Sequence, residues 1–335
     1  MAVMTARRRS RSRISATALA AGATALSLLT VAGCGSDDDG GGGGSADGKL
    51  DVIASFYPME FLAERIGGEH VSVSTLAEPG AEPHDLDISP RQTAELTEAD
   101  LVVYLAGLQP AVDEAIEQSG VEHVAEATSF TTLRDQTEHE EHEEEGHEEE
   151  SHEEEGHEHD HSGQDPHLWL DPAKYAEVAE GVGAALAEAD PDHAADYERN
   201  TDELTAELTA LDEEFTEGLA TATTGTFITT HAAFGYLADR YGLHEESIAG
   251  LDPESEPSAE RMRELQDIAE ADDVSTVFFE TLVSDETART LAGDLGLETA
   301  VLDPVEGITE DSPGADYFEV MRANLQALRQ ALGAS

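Results

Sequence analysis

Residues 192–220 read "DHAADYERNTDELTAELTALDEEFTEGLA". Within them Tyr197, Leu204, Leu208, Leu211 and Phe215 recur at three-, four- and seven-residue steps, the repeat of a single apolar stripe on an α-helix. Acids and threonines fill the other faces, and proline is absent after Pro191. The spacing predicts one helix over 191–219, about seven turns long. A helix of that length is a stiff connection, unlike a hinge of several crossing strands. What it connects is legible on either side.

Upstream, "LDVIASFYP" (50–58) is an apolar, β-branched run stopped by Pro58, and reads as a buried strand. "MEFLAERIGG" carries apolar residues at helical spacing and ends in glycine, while "HVSVSTLA" (70–77) alternates as a strand does. Ser89, Pro90 and Gln92 stand as N-cap, first helical residue and third position of a helix. "DLVVYLAG" (100–107) is another strand, with a helix from about Pro110. Downstream, "TFITTHAAF" (226–234), "VSTVFFETLVS" (274–284) and "ETAVLDP" (298–304) read as strands with helices between them. The last helix, Asp316 to Leu332, places Phe318, Met321, Leu325 and Leu328 on one face. Strands alternating with helices indicate parallel sheets. The expected fold is α/β: two lobes with parallel sheets (49–190 and 220–335) bridged by one long rigid helix.

The chain has 335 residues, room for two domains, and a formal charge of −57. Five of its 17 basic residues lie in the first 13 positions; without that segment 12 basic residues face 74 acidic ones, a net charge near −62. Such a chain repels nucleic acid and attracts cations, which excludes a nucleic-acid-binding role. Arg7 to Arg13 followed by apolar Ala16 to Ala32 reads as a signal peptide over 1–33. It ends in "VAGC" (31–34), similar to a bacterial lipobox, which would make Cys34 a lipidated first mature residue. "GSDDDGGGGGSADG" then extends a flexible tether over 34–48. No later stretch is apolar for long enough to span a bilayer. The protein is therefore expected on the outer face of the cell membrane, held through a lipid anchor only. Cys34 is the sole cysteine, so any metal must be held by His, Asp and Glu.

Between the first lobe's strands and the long helix runs "HEEHEEEGHEEESHEEEGHEHDH" (139–161). It contains His139, His142, His147, His152, His157, His159 and His161 and no apolar residue. Four of these repeat every five residues, about 500° of helix, so they share no face. The charge density opposes any compact form, and 134–164 reads as a disordered His/Glu-rich loop able to bind metal weakly at many points. Acidification near the histidine pKa would release such metal.

Seven histidines lie elsewhere, and singly any of them is more often a surface residue than a ligand. Three have more specific settings. His84 sits in the Pro- and Gly-punctuated loop "EPGAEPHDLDISP", His167 in "DPHLWLDP", and His231 at the end of a strand, where a parallel sheet presents its ligand crevice. Three imidazoles and one carboxylate make a four-coordinate site suited to Zn²⁺. For the carboxylate the residues offer Glu280, Asp303 and Glu306, and composition does not choose among them.

"EPHDLDISP", "DPHLWLDP", "TTHAAFGYLADRYG", "FFETLVS" and "LDPVEGIT", in this order after a lipobox and around a His-rich insertion, resemble the solute-binding lipoproteins of ABC importers for zinc and manganese. The resemblance covers essentially all of residues 50–335. It implies two α/β lobes bridged by a long helix, with the metal in the cleft between them. It implies His84 and His167 from the first lobe, and His231 with an acid from the second. For that acid it favours Glu306, then Asp303, with Glu280 as an outer residue; Val305 stands where leucine is commoner. Nitrogen at position 231 favours Zn²⁺ over Mn²⁺. The implied role is a monomeric receptor that passes Zn²⁺ to an ABC permease and its ATPase. Other readings are a manganese receptor of the same family, a metal-binding adhesin or buffer, and an exported zinc hydrolase using a spare acid such as Glu82. The one "HExxH" match, "HEHDH" (157–161), falls inside the His/Glu run read as disordered and so does not support the last.

Overall fold

The computed structural model describes residues 48–135 and 164–335. The expected signal peptide, Cys34, nearly all of the tether and the seven histidines of the His/Glu run lie outside the described residues.

The first half opens with β1 (Leu50–Ala54), whose Val52, Ile53 and Ala54 are buried, and α1 (Tyr57–Gly67). Pro58 falls in the first turn of α1, where its missing N–H costs nothing, and Gly68 ends the helix at φ 55°. Next come β2 (Val71–Thr75), α2 (Pro90–Glu98), β3 (Leu101–Tyr104), α3 (Pro110–Ser119) and β4 (Val124–Glu126). The four strands form one parallel sheet in the order β2-β1-β3-β4, with Val52 opposite both Val73 and Leu101. The short strands β5 (Arg134–Asp135) and β6 (Gln164–Asp165) pair antiparallel on either side of 136–163.

Two helices follow, α4 (Pro172–Ala189) and α5 (Ala194–Leu219). α5 has 26 residues, about 39 Å at the α-helical rise. It starts three residues later than expected because Pro191–His193 forms a 3₁₀ turn. Tyr197, Leu204, Leu208, Leu211 and Phe215 are all fully buried. They do not face the lobes alone: α4 packs along α5, so close that a Cβ on Gly183 would lie 2.2 Å from Thr201 Oγ1. α5 is thus the second arm of a helical hairpin whose first arm, α4, packs on the first half, and only the second arm stands out in the sequence. Alanines and glycines dilute the apolar stripe of α4.

The second half contains β7 (Thr226–Thr229), α6 (Gly235–Tyr241), β8 (His244–Ser247), α7 (Ala259–Ala271), β9 (Thr276–Phe279), α8 (Glu286–Leu295), β10 (Glu298–Val301) and α9 (Tyr317–Ala331). Its parallel sheet runs β10-β9-β7-β8. Counted from the first strand of each half, both sheets have the order 2-1-3-4. In such sheets the ligand crevice lies beyond the carboxyl ends of the strands, where the winding reverses.

One apolar core runs from the first sheet through α4 and α5 to α9 and the second sheet. Trp169, fully buried, bridges the halves by donating its indole N–H to the Pro304 carbonyl at 2.7 Å. Tyr317 on α9 donates its hydroxyl to the Trp169 carbonyl at 2.7 Å. Tyr236 on α6 donates to the Asp165 carbonyl at 2.8 Å. These links bring the loops of the two halves together.

Candidate metal centre

His84 lies on the loop after β2. Its backbone N–H donates to Glu82 Oε1 at 3.1 Å, and Asp85 N–H donates to Glu82 Oε2 at 3.2 Å, so one carboxylate shapes the turn. The base of the loop is closed by α2: Ser89 and Gln92 form a reciprocal capping box, and Gln92 Nε2 also donates to the Leu76 carbonyl at 2.9 Å. His167 follows β6. Asp165 Oδ1 accepts its backbone N–H at 3.0 Å and lies 2.8 Å from its Nδ1.

His231 stands two residues past β7. Its Nδ1 is 2.7 Å from Glu280 Oε1, which also accepts the Thr230 hydroxyl. Glu306 lies in the loop after β10. Val305 before it has φ 60°, a left-handed conformation that strains a β-branched residue. Asp303 holds this turn. Its Oδ1 accepts Val305 N–H at 2.8 Å, its Oδ2 accepts the Thr281 hydroxyl at 2.8 Å, and Asn324 grips its backbone N–H and carbonyl at 2.9 and 2.7 Å.

These loops bring four donor atoms together. Glu306 Oε1 lies 3.2 Å from His84 Nε2, 3.4 Å from His167 Nε2 and 3.5 Å from His231 Nε2. The Nε2 atoms of His84 and His167 are 3.4 Å apart, and donors from all four residues lie within 4.8 Å of one another. A tetrahedral zinc ion with bonds of about 2.0–2.1 Å requires donors about 3.3–3.4 Å apart. The set therefore fits such an ion. His231 Nε2 and Glu306 Oε2 are buried without a hydrogen-bond partner, an arrangement that is costly unless something else occupies their lone pairs. Glu280 and Asp303, the alternative acids, are not in the cluster: the first holds His231 from behind, and the second shapes the Glu306 turn.

The family model for the zinc-uptake complex component A, periplasmic (ZnuA), matches residues 52–331. The chain belongs to this family. It is 35% identical over 297 residues to the zinc-binding lipoprotein AdcA of Streptococcus pneumoniae, covering 85% of this chain but 56% of AdcA. The chain thus spans about half the length of the AdcA relatives it matches. It is 36% identical over 293 residues to the high-affinity zinc uptake system protein ZnuA of Bacillus subtilis, covering 86% of this chain and 89% of that protein. The crystal structure of the Zn(II)-bound ZnuA-like domain of S. pneumoniae AdcA superposes with a TM-score of 0.68 at 30% identity, covering 85% of this chain and 99% of that one.

The charges in this cluster oppose one another. Burial alone would raise the Glu306 carboxyl, but the imidazoles of His167, His231 and His84 around it outweigh burial and hold the group well below the usual carboxylate range. Burial disfavours the His231 imidazolium, yet the Glu280 carboxylate, with Glu306, lifts it well above an ordinary histidine. His167 is raised in the same way, against burial, by Asp165 and Glu306. Asp303 is pushed by burial up to about 6.

The sequence reading did not single out Asp165, Asn324 or the shaping role of Glu82. A signal for two of them was present. "EPH" (82–84) and "DPH" (165–167) are both acid-Pro-His, and in both the acid accepts the backbone N–H of the histidine. An acid two residues ahead of a histidine, with proline between, is a local device for fixing the turn that carries the ring. Asn324 acts across 21 residues from another element, and no local pattern announces it.

Proposed function

We propose that this chain is an extracytoplasmic zinc receptor that binds one Zn²⁺ through His84, His167, His231 and Glu306 and delivers it to an ABC permease and its ATPase. The convergence of three Nε2 atoms and one buried carboxylate oxygen carries the reading. Nitrogen at all three histidine positions selects Zn²⁺ over Mn²⁺, which prefers oxygen. Four protein donors fill a zinc coordination shell and leave no open position for a water nucleophile, which opposes hydrolase chemistry.

In this reading residues 1–33 are a signal peptide, lipidated Cys34 anchors a monomer, and 34–48 tether it. The first lobe spans 49–190, the linking helix 191–219 and the second lobe 220–335. Each lobe supplies two donors. A small displacement of one lobe by the permease breaks the shell and frees the ion.

The test is metal content and competition titration of the chain from Ser36 with 138–161 removed. One tightly held Zn²⁺ is expected, preferred over Mn²⁺. His231→Ala should weaken it by more than the roughly 10–100-fold that loss of an outer hydrogen-bond partner costs. Absence of a tight ion, or equal retention of Mn²⁺, would overturn the proposal.

A further inference from the structure

Behind the loop that carries His231 lies a carboxyl outside the four donors. Glu245, on β8, is 9% exposed. Its Oε1 is 2.8 Å from Thr229 Oγ1 and accepts the Phe234 N–H at 3.1 Å. Thr229 and Phe234 are the two ends of the turn that presents His231. Thr229 Oγ1 is also 2.9 Å from the His231 carbonyl oxygen.

A threonine hydroxyl has one proton to give. If Glu245 is ionised, that proton faces two acceptors, a carboxylate oxygen and a carbonyl oxygen. One close oxygen–oxygen contact is then left without a proton between its atoms. If Glu245 carries a proton, its O–H donates to Thr229 Oγ1, the Thr229 hydroxyl donates to the His231 carbonyl, and both contacts are satisfied.

We infer that Glu245 is a positioning residue that works as a neutral carboxylic acid: the chain from its O–H through the Thr229 hydroxyl to the His231 carbonyl, with Phe234 N–H received on the same carboxyl, fixes the turn that aims the His231 imidazole. The protonation state follows from hydrogen-bond parity alone. Its service to zinc rests on the receptor reading.

The charged groups that bear on it agree with a neutral state. Burial pushes the Glu245 carboxyl up to about 7, opposed by the hydrogen bonds from Phe234 and Thr229; Asp165 adds to the rise and His231 opposes it. An ionised Glu245 serving as a counter-charge to His231 is the competing role, and glutamine separates the two. Its amide can donate to Thr229 as the acid does and carries no charge, but the Phe234 N–H, which meets the same Oε1 position, loses its acceptor.

The experiment uses the chain from Ser36. The infrared difference spectrum of wild type against Glu245→Gln, recorded at about pH 6, should show a protonated-acid carbonyl stretch in the wild type that the variant lacks. In Zn²⁺ competition titrations Glu245→Gln should weaken Zn²⁺ less than Glu245→Ala, because it keeps the contact to Thr229 and loses only that to Phe234. Glu245→Ala and Thr229→Val should each weaken Zn²⁺ by about 10–100-fold. Thr229→Val keeps the side-chain shape, so the test stands even if the alanine variant does not fold. A missing acid band, glutamine as damaging as alanine, or no effect of Thr229→Val would overturn the inference. Failure of the wild type to hold Zn²⁺ at all would instead strike the receptor proposal, and the infrared result would still be read on its own.

Discussion

In the proposed site His167, His231 and Glu306 hold protons that a bound cation would displace, and the direction of each shift sets how stability follows pH. The two histidines have folded pKa values above their ordinary 6.5, so their contribution to the metal-free fold is complete below that value. It is lost as pH rises through the folded values. Glu306 is depressed, so its contribution is present above the ordinary carboxylate value of 4.5 and is lost only as pH falls through its lowered one. Zn²⁺ requires neutral imidazoles, so binding releases protons and tightens as pH rises. The melting-temperature gap between zinc-loaded and chelator-treated protein should therefore widen between about pH 6 and pH 8. Calorimetry at the two pH values checks this, and a constant or shrinking gap would mean that the histidines do not hold protons in the metal-free state.

At the scale of elements, α5 was legible because its apolar stripe runs through 26 residues, long enough for periodicity to outweigh chance. α4 was not, although it lies alongside α5. Its tight approach uses glycine and alanine, which carry little hydrophobic signal. The burial of α5 predicts the cost of damaging it. Leu208 is fully buried in the continuous core, so Leu208→Ala should lower unfolding stability by about 2–5 kcal/mol. Denaturant titration of the zinc-free chain measures that loss, and zinc titration under folding conditions should still find one tight ion. Unchanged stability would show that the helix is not held by its apolar face. The loops followed a similar rule: the Ser89 capping box was readable locally, whereas the clamp of Asn324 on Asp303 was not.

Across the whole molecule, the two sheets repeat one winding and bring the loops of His84, His167, His231 and Glu306 together, with α5 running between the halves. The buried quartet is therefore set by the packing of the halves. In the proposed reading the His/Glu run serves that site without being part of it. Deleting 138–161 from the chain should leave one tightly bound Zn²⁺ and abolish only weaker, additional binding. Stoichiometric titration of the two forms decides the matter, since loss of the tight ion on deletion would make the run itself the principal binder.

Read without coordinates, the chain determined its α/β class, its long helix, the order of its motifs and three histidines whose settings let them converge, because each depends on periodicity or punctuation within a few residues. Composition left the fourth acid open among Glu280, Asp303 and Glu306, and only the family resemblance favoured Glu306. All three stand near the ends of strands, and no local pattern tells a carboxylate that faces a shared cavity from one that braces its wall. Tertiary structure separated them by direction: Glu306 turns its Oε1 toward three imidazoles, Glu280 backs His231, and Asp303 folds back on Val305. The neutral clamp at Glu245 was equally invisible, since it exists only where β8 lies beside the turn after β7.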